Sequence, residues 1–387
     1  MAANREFYRG RRKRRNYALI PFLAILGLLT VIVVLFYAMQ KYAVISDEGV
    51  DVVLTANGSE ENLLNADEEE YVFAPVEAEL VFDPPDYSGI RAAAGMDAKP
   101  MRAIYIAAAD LNRENILDRA AQLNSGNALL LEMKPREGYL MWDSQCDLAQ
   151  QYSLVADYPL RSEMADVLKE IRQYGAEQDK QIWLVAQISC CVDALLPTRS
   201  GTFSLRSASG NDFFDDTGYW LDPYNRELRN YIVQITQELY DLGFDEVVLA
   251  DVGHPTVEVE EGQEPYTFIY SSEMSTPPSP QNAVCGFAVY VARQLEDREG
   301  LLSIYTSTRR SLARLDEGTG QDAALFLKLY DRVYFRTDRY EFTFNFADIK
   351  GSVSIGSAQD RFVPVVINYL PDNTSWVYIE DLESLPD

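Results

Sequence analysis

From residue 101 to residue 369, short apolar runs of buried-strand type alternate with segments of helical periodicity. This alternation restricts the fold more than any other feature. Parallel strands need a long crossover, and a helix is the usual one, so a chain that keeps returning to a strand after a helix builds parallel β/α units. The strand-type runs are residues 101–109, 127–134, 181–188 and 246–252, then LLSIYTS, RVYFRT and finally residues 362–369. Helices are expected over 112–124 with Asn112 as N-cap, and over 162–177. Further helices are expected over 225–242 closed by Gly243, over 282–298 and over 323–330. At least six such units over roughly 280 residues match the size of a (β/α)8 barrel. The long loops after the third and fourth strands would then lie at its C-terminal face. A doubly wound open sheet is the competing architecture. No G-x-G-x-x-G or G-x-x-x-x-G-K-[ST] follows a strand, so no phosphate cradle is visible.

The N-terminal hundred residues differ in kind. Residues 17–39 carry no charge and are mostly Leu, Ile, Val, Ala and Phe. At about 1.5 Å per residue they reach roughly 34 Å, enough for a hydrocarbon core of about 30 Å. A cleaved signal peptide is the alternative, but its apolar region is usually only about 7–15 residues long. The preceding R-R-K-R-R cluster predicts a cytoplasmic N-terminus, because basic flanks stay inside. The expected organisation is a basic cytoplasmic tail (1–16), a transmembrane helix in contact with the bilayer (17–39), an acidic linker (40–100) and an extracytoplasmic barrel domain (101–387). The linker reading rests on the Asp67–Glu70 acid run, Pro75, Pro84, Pro85 and Pro100, and scattered apolar residues. A small packed subdomain around Tyr71 to Phe82 is the alternative.

Composition excludes several function classes. The net charge is −26, from 34 basic and 60 acidic residues. A chain this acidic repels phosphate backbones, so nucleic acid is not an expected partner. His254 is the single histidine, which rules out zinc sites built on several histidines. The four cysteines (Cys146, Cys190, Cys191, Cys285) form no C-x-x-C pair. Neither a metal nor a cofactor is expected.

In a barrel, side chains at the C-terminal ends of the strands line the site. That rule selects Glu132 and Lys134 after the second strand, Gln187 and Asp193 after the third, Asp251 and His254 after the fourth, and Asn368 after the last. Arg336 and Asp338 follow a later strand. Trp142, Tyr219, Trp220 and Tyr340 lie in or near the loops. Carboxylates combined with aromatic rings suit sugars, since rings stack on apolar sugar faces and carboxyls move protons. Glycoside hydrolysis takes two carboxyl groups about 5–9.5 Å apart, one of them protonated. Glu132 and Asp251 are the leading catalytic pair, with Asp193 as the alternative partner, because burial at strand ends raises a carboxyl pKa. Substrate contacts are expected from Lys134, Trp142, Gln187, Trp220, His254 and Asn368. Competing structural readings are an ion pair between Glu132 and Lys134, a loop-capping Asp251 and a packed loop histidine. The pair Asp245 and Glu246 reads as solvated or capping.

Three segments carry a resemblance. WLDPYNRELRNYIVQITQELYDLGFDEVVLADVGHP (220–255), RAIYIAAADLNRENILDRAAQLNSGNALLLEMKPREGYLMWDS (102–144) and QIWLVAQISCCVDALL (181–196) resemble the signature of a bacterial family of glycoside-hydrolase-like extracytoplasmic domains. The resemblance implies a barrel with a glycan-directed site. It also implies altered chemistry. Ungapped alignment sets Ala250 where the family has its strand-end Asp and Asp251 where it has Tyr. Glu132 falls on the family's Asp, Lys134 on its Lys, Pro135 on a further Asp and Gln187 on its Arg, while Asp193 keeps a carboxylate. The expected function is a membrane-anchored protein that binds or positions cell-envelope glycan, with catalysis weak or lost. The alternatives are an active hydrolase and an interaction platform for an envelope protein.

Overall fold

A computed structural model describes residues 43–46, 49–52, 101–123, 127–257, 267–271, 278–306, 316, 318–336, 361–367 and 375–379. Two units are distinguished, Met1–Val81 and Phe82–Asp387. In the first, β1 (Ala43–Ser46) and β2 (Gly49–Val52) pair antiparallel, within the stretch read as linker. The apolar run 17–39 lies outside the described residues. Among those described, no helix is long and apolar enough to cross a membrane.

The second unit is a closed barrel of eight parallel strands. These are β3 (Arg102–Ile106), β4 (Ala128–Lys134), β5 (Trp183–Ser189), β8 (Glu246–Ala250), β9 (Leu301–Thr306), β10 (Val333–Arg336), β11 (Phe362–Ile367) and β12 (Trp376–Ile379). Two-residue strands β6 (Phe214–Asp215) and β7 (Gly218–Tyr219) form a hairpin in the loop after β5. The helices are α1 (Arg113–Ala121), α2 (Asp147–Gln151), α3 (Met164–Glu177), α4 (Leu196–Arg199), α5 (Arg226–Leu242), α6 (Pro280–Gln294) and α7 (Ala323–Leu329). The ring closes where β12 pairs with β3, Val377 against Ala103. Seven strands carry an apolar run visible in sequence. β12 does not, because four residues flanked by polar ones give too short a signal.

Cap chemistry fixes the helix ends. Asn112 accepts from the Asn115 N–H at 2.9 Å and Asn225 from the Leu228 N–H at 3.0 Å, each satisfying a first-turn donor. Gly243 closes α5 in the left-handed region at φ 110°, where glycine has no Cβ to clash. α6 begins two residues earlier than expected, because Ser279 caps it and Pro280 is accommodated at the first turn. The helix expected over 162–177 starts two residues later, at Met164. Pro159–Ser162 is a 3-10 turn and α3 follows it.

Strand alternation sorts the core into two layers. Ala103, Tyr105, Ala128, Leu130, Val185, Val248, Tyr334, Val363 and Val377 fill the barrel interior. Leu129, Leu131, Met133, Leu184, Ala186, Val247 and Leu249 face the helices instead. The interior is apolar in its middle and polar at its floor. Glu246 is fully buried there, which corrects the reading of Asp245 and Glu246 as a solvated or capping pair. It accepts from Ser303 Oγ at 2.6 Å and Tyr334 Oη at 2.7 Å, and it pairs with Arg332. Trp183 Nε1 donates to it at 3.2 Å. Asp245 is half-committed too, binding Arg172 at 2.9 Å and accepting from the Leu184 N–H at 2.8 Å.

Removing one member of a buried pair strands the other charge. Glu246→Ala is expected to cost about 3–5 kcal/mol in chemical denaturation, with Arg332 left uncompensated. A loss below about 1 kcal/mol would show that the floor network is not a stabilising element.

Candidate functional site at the barrel mouth

The same alternation aims the mouth residues. Glu132 shares the inward face of β4 with Ala128 and Leu130, and Gln187 shares that of β5 with Val185. The two pair directly in the ladder, so they stand side by side. Ala250 shares the inward face of β8 with Val248. The strand-end position at which the resemblance expects a carboxylate therefore offers a methyl group.

Glu132 is 8 % exposed and accepts from the Ala108 N–H at 2.9 Å. Burial pushes its carboxyl above the ordinary range. The Ala108 N–H and Tyr105 work against that rise, and the charges of Glu137 and Asp251 add to it. The Tyr105 hydroxyl is near enough to weigh on the carboxylate but lies outside aligned hydrogen-bonding geometry. Burial, with Glu132 beside it, pushes that phenol well up. Glu132 thus keeps a proton to higher pH than a solvated glutamate, as a proton donor must.

Asp251 follows β8 in the left-handed region, φ 53°, a conformation that Asp tolerates better than most residues. Its carboxylate is gripped by Arg136, with Nε at 3.1 Å and Nη2 at 2.7 Å. Burial opposes the Arg136 charge, but the hydrogen bonds and charge of Asp251 outweigh it and raise the guanidinium pKa. Ser189 Oγ lies 2.7 Å from both Asp251 Oδ2 and the Val192 carbonyl, so its single proton serves one of them at a time. The field of this group extends to Tyr305, whose phenol burial pushes up; Arg336 and Arg136 oppose that shift and Asp251 adds to it.

Lys134 does not pair with Glu132. A register shift in β4 between Glu132 and Lys134 re-aims the lysine. Its Nζ donates to the Ser189 carbonyl at 2.9 Å and lies 2.7 Å from Asp193 Oδ2, with both side chains fully buried. Asp193 Oδ1 also caps α4, accepting from the Leu195 and Leu196 N–H groups at 2.9 and 2.7 Å. Gly138 presses on this pair. Its φ is +93°, and a Cβ there would stand 2.1 Å from Asp193 Oδ1. Lys134 and Asp193 therefore hold the loops after β4 and β5 together beneath the surface, without access to solvent.

The two tryptophans also turn inward. Trp142 is 1 % exposed and donates from Nε1 to Glu238 on α5 at 3.0 Å. Trp220 is 9 % exposed. His254 is buried beneath the loop after β8, edge-on to Phe268 at 4.6 Å, with Nε2 3.1 Å from Tyr270 Oη. Asn368, Asp338 and Tyr340 lie outside the described residues. Glu132, Gln187, Asp251 and Arg336, which shares the inward face of β10 with Tyr334, remain as the sequence-selected residues at the mouth. Tyr105, Arg136, Ser189 and Tyr305 join them. Only Arg136, directly after the strand-ending Met-Lys-Pro, carried a positional hint in sequence.

Burial pushes the His254 pKa down to about 4, with the Pro255 carbonyl opposing. The unfolded imidazole titrates near 6.5, so between about pH 6.5 and 4 the unfolded state binds more protons. Stability is then expected to fall as pH drops through that window, by about 3 kcal/mol from this group. His254→Gln should flatten that part of the pH–stability curve. An unchanged slope would show that the imidazole is solvated.

Comparison with known proteins follows this geometry. Residues 103–334 match the family DUF4015, described as "Putative glycosyl hydrolase domain". The search of curated proteins finds no match. Among solved structures, a hypothetical protein from Ruminiclostridium thermocellum is 21 % identical, covering 50 % of this chain and 91 % of that one, with a TM-score of 0.39. The glycoside hydrolase domain of PgaB (BpsB) from Bordetella bronchiseptica is 12 % identical, covering 73 % and 94 %, with a TM-score of 0.48. A chitobiase from Flavobacterium johnsoniae is 12 % identical, covering 69 % and 38 %, with a TM-score of 0.42. The family match spans more than half of the sequence and reaches from β3 into β10, so this chain belongs to the putative glycosyl hydrolase domain family.

Proposed function

We propose that the barrel mouth binds cell-envelope glycan and that hydrolysis there is weak or lost. One observation carries the reading: burial raises the pKa of the Glu132 carboxyl at the mouth, while the nearby carboxylate, Asp251, is held in a two-point clamp by Arg136. A two-carboxyl hydrolase needs its second group free to attack or to take a proton from water. Ala250 supplies no replacement from the inward face of β8. Under this reading Glu132, Gln187 and Tyr305 meet sugar hydroxyls, Arg136 is held in place by Asp251, and Lys134 with Asp193 fixes the loops behind them.

The second reading is an active hydrolase. It is favoured by the pairing of a raised carboxyl, Glu132, with a charged Asp251 in the same field, the combination an acid and its partner require. Incubating the full-length protein with purified wall glycan separates the two. Binding by the wild type without new reducing ends, with an altered affinity in Glu132→Gln, is the expected outcome. Turnover by the wild type that falls about 100-fold or more in Glu132→Gln would establish the hydrolase instead.

The basic tail, the apolar run 17–39 and the acidic stretch 40–100 support a single-pass anchor with the barrel domain outside the membrane. Protease added to intact spheroplasts is expected to remove the barrel domain and spare an N-terminal tag. Protection of the barrel with loss of the tag would reverse the orientation.

A further inference from the structure

Among the described residues, the large hydrophobic side chains left exposed are Tyr139 at 40 %, Phe214 at 65 % and Ile269 at 42 %. Each lies in a loop that follows a barrel strand: Tyr139 after β4, Phe214 after β5, Ile269 after β8. All three therefore belong to the C-terminal face, although exposed apolar residues scattered singly would have no reason to share one end of a barrel.

The loop after β5 forms a small antiparallel sheet of its own. Arg206 pairs with Asp212 on one side and with Ile269 on the other, and Phe214 pairs with Tyr219. Cross-strand partners project to the same face, and so do residues two apart along a strand. Arg206, Asp212, Phe214, Tyr219 and Ile269 consequently share one face. The opposite face carries Leu205, Phe213 and Phe268, and the rings of Phe213 and Phe268 meet edge-on at 5.0 Å.

The outer face has a defined chemistry. The Phe214 and Tyr219 rings lie 5.4 Å apart, tilted by 41°. Beside them, Arg206 and Asp212 stand 3.8 Å apart as a charge-balanced pair, each about one-third exposed. This combination offers apolar ring faces, hydrogen-bond donors and acceptors, and no net charge.

The sheet is anchored to the mouth. The Asp193 N–H donates to the Tyr219 carbonyl at 3.0 Å, and the Ala194 N–H donates to the Arg136 carbonyl at 2.8 Å. Gly218, at φ +135°, lies so close to Val192 that a Cβ there would meet its Cγ1 at 3.0 Å. Tyr139 adjoins Gly138, which packs on the same Asp193. The loop sheet that bears Phe214 and Tyr219 and the loop after β4 that bears Tyr139 are thus both tied to the same segment beyond β5, residues 192–194.

We propose that this outer face, continued by Tyr139, is a platform for an uncharged glycan chain, so that the protein grips several consecutive sugar units and not a single one at the mouth. The proposal rests on the glycan reading of the mouth and adds the length and charge class of the ligand. Sugar rings stack their C–H faces on Phe214, Tyr219 and Tyr139, and their hydroxyls bond to Arg206 and Asp212. An anionic polymer would find no uncompensated cation on this face.

The test uses the full-length chain in a detergent without a sugar headgroup. Its probes are chito- and cello-oligosaccharides of two to six units, with binding followed by calorimetry. For the wild type, affinity for at least one series is expected to rise about tenfold or more from dimer to hexamer. In Phe214→Ala/Tyr219→Ala that gain should vanish while dimer affinity stays. Phe214→Trp should keep it, and Glu132→Gln should change dimer and hexamer binding alike. Phe214 is exposed and Tyr219 half-buried, both outside the barrel core, so circular dichroism is expected to report an unchanged fold. Wild-type binding with the same length dependence in the double variant overturns the platform and leaves the mouth reading intact. Absence of binding to every probe overturns both. A concentration-dependent dimer lost in the double variant would assign the face to self-association and overturn the platform.

Discussion

The two-residue period of a strand, locked by closure of the ring, decides what this protein can present to a ligand. Once β12 has paired with β3, no strand can slip by one residue without turning its apolar set toward the wrong side. Ala128 and Leu130 inside, with Leu129 and Leu131 outside, therefore force Glu132 inward. The same constraint places Ala250 inward and leaves Asp251 to emerge beyond the strand. The chemistry of the mouth follows from packing several residues away from it.

Charge is handled differently at the two ends of the barrel. At the floor, Glu246 and Arg332 are sealed in a network in which each polar group finds a partner, so burial is compensated and the carboxylate is committed. Lys134 and Asp193 repeat that arrangement under the loops, where Gly138 gives them room. At the mouth, Glu132 has a backbone donor and, among the described residues, no ion pair, and the desolvation it suffers raises its hold on a proton. Buried carboxylates with full partners fix the scaffold. The one with fewer partners, Glu132, keeps a raised pKa. That contrast separates Glu132 from Asp193 more clearly than their positions at strand ends do.

The aromatic residues divide along the same line. Trp142 and Trp220 have the larger rings and the more obvious affinity for sugars, yet packing consumes them: Trp142 ties the loop after β4 to α5 through Glu238. The rings that reach solvent are Tyr139 and Phe214, on loops whose backbones are tied to Asp193 and its neighbours. Rigid presentation matters for weak stacking contacts, because a mobile ring would lose in entropy what it gains in contact.

Much of the fold was legible in the sequence because local signals are strong where burial is uniform. Seven strands, the Asn112 cap and the Gly243 terminator follow from apolar runs and cap chemistry within a few residues. β12 escaped because four residues carry too little pattern, and the burial of Glu246 escaped because its partners, Ser303, Arg332 and Tyr334, lie 57 to 88 positions away. At the site, the sequence determined which carboxylates end strands and that the position of Ala250 has none. Only the tertiary structure decided which of those carboxylates is spent. Asp193 is taken by Lys134, Asp251 by Arg136, and Glu132 by neither. The physical reason is that ion pairing depends on distances of about 3 Å between residues far apart in the chain, and strand closure, not local pattern, sets those distances.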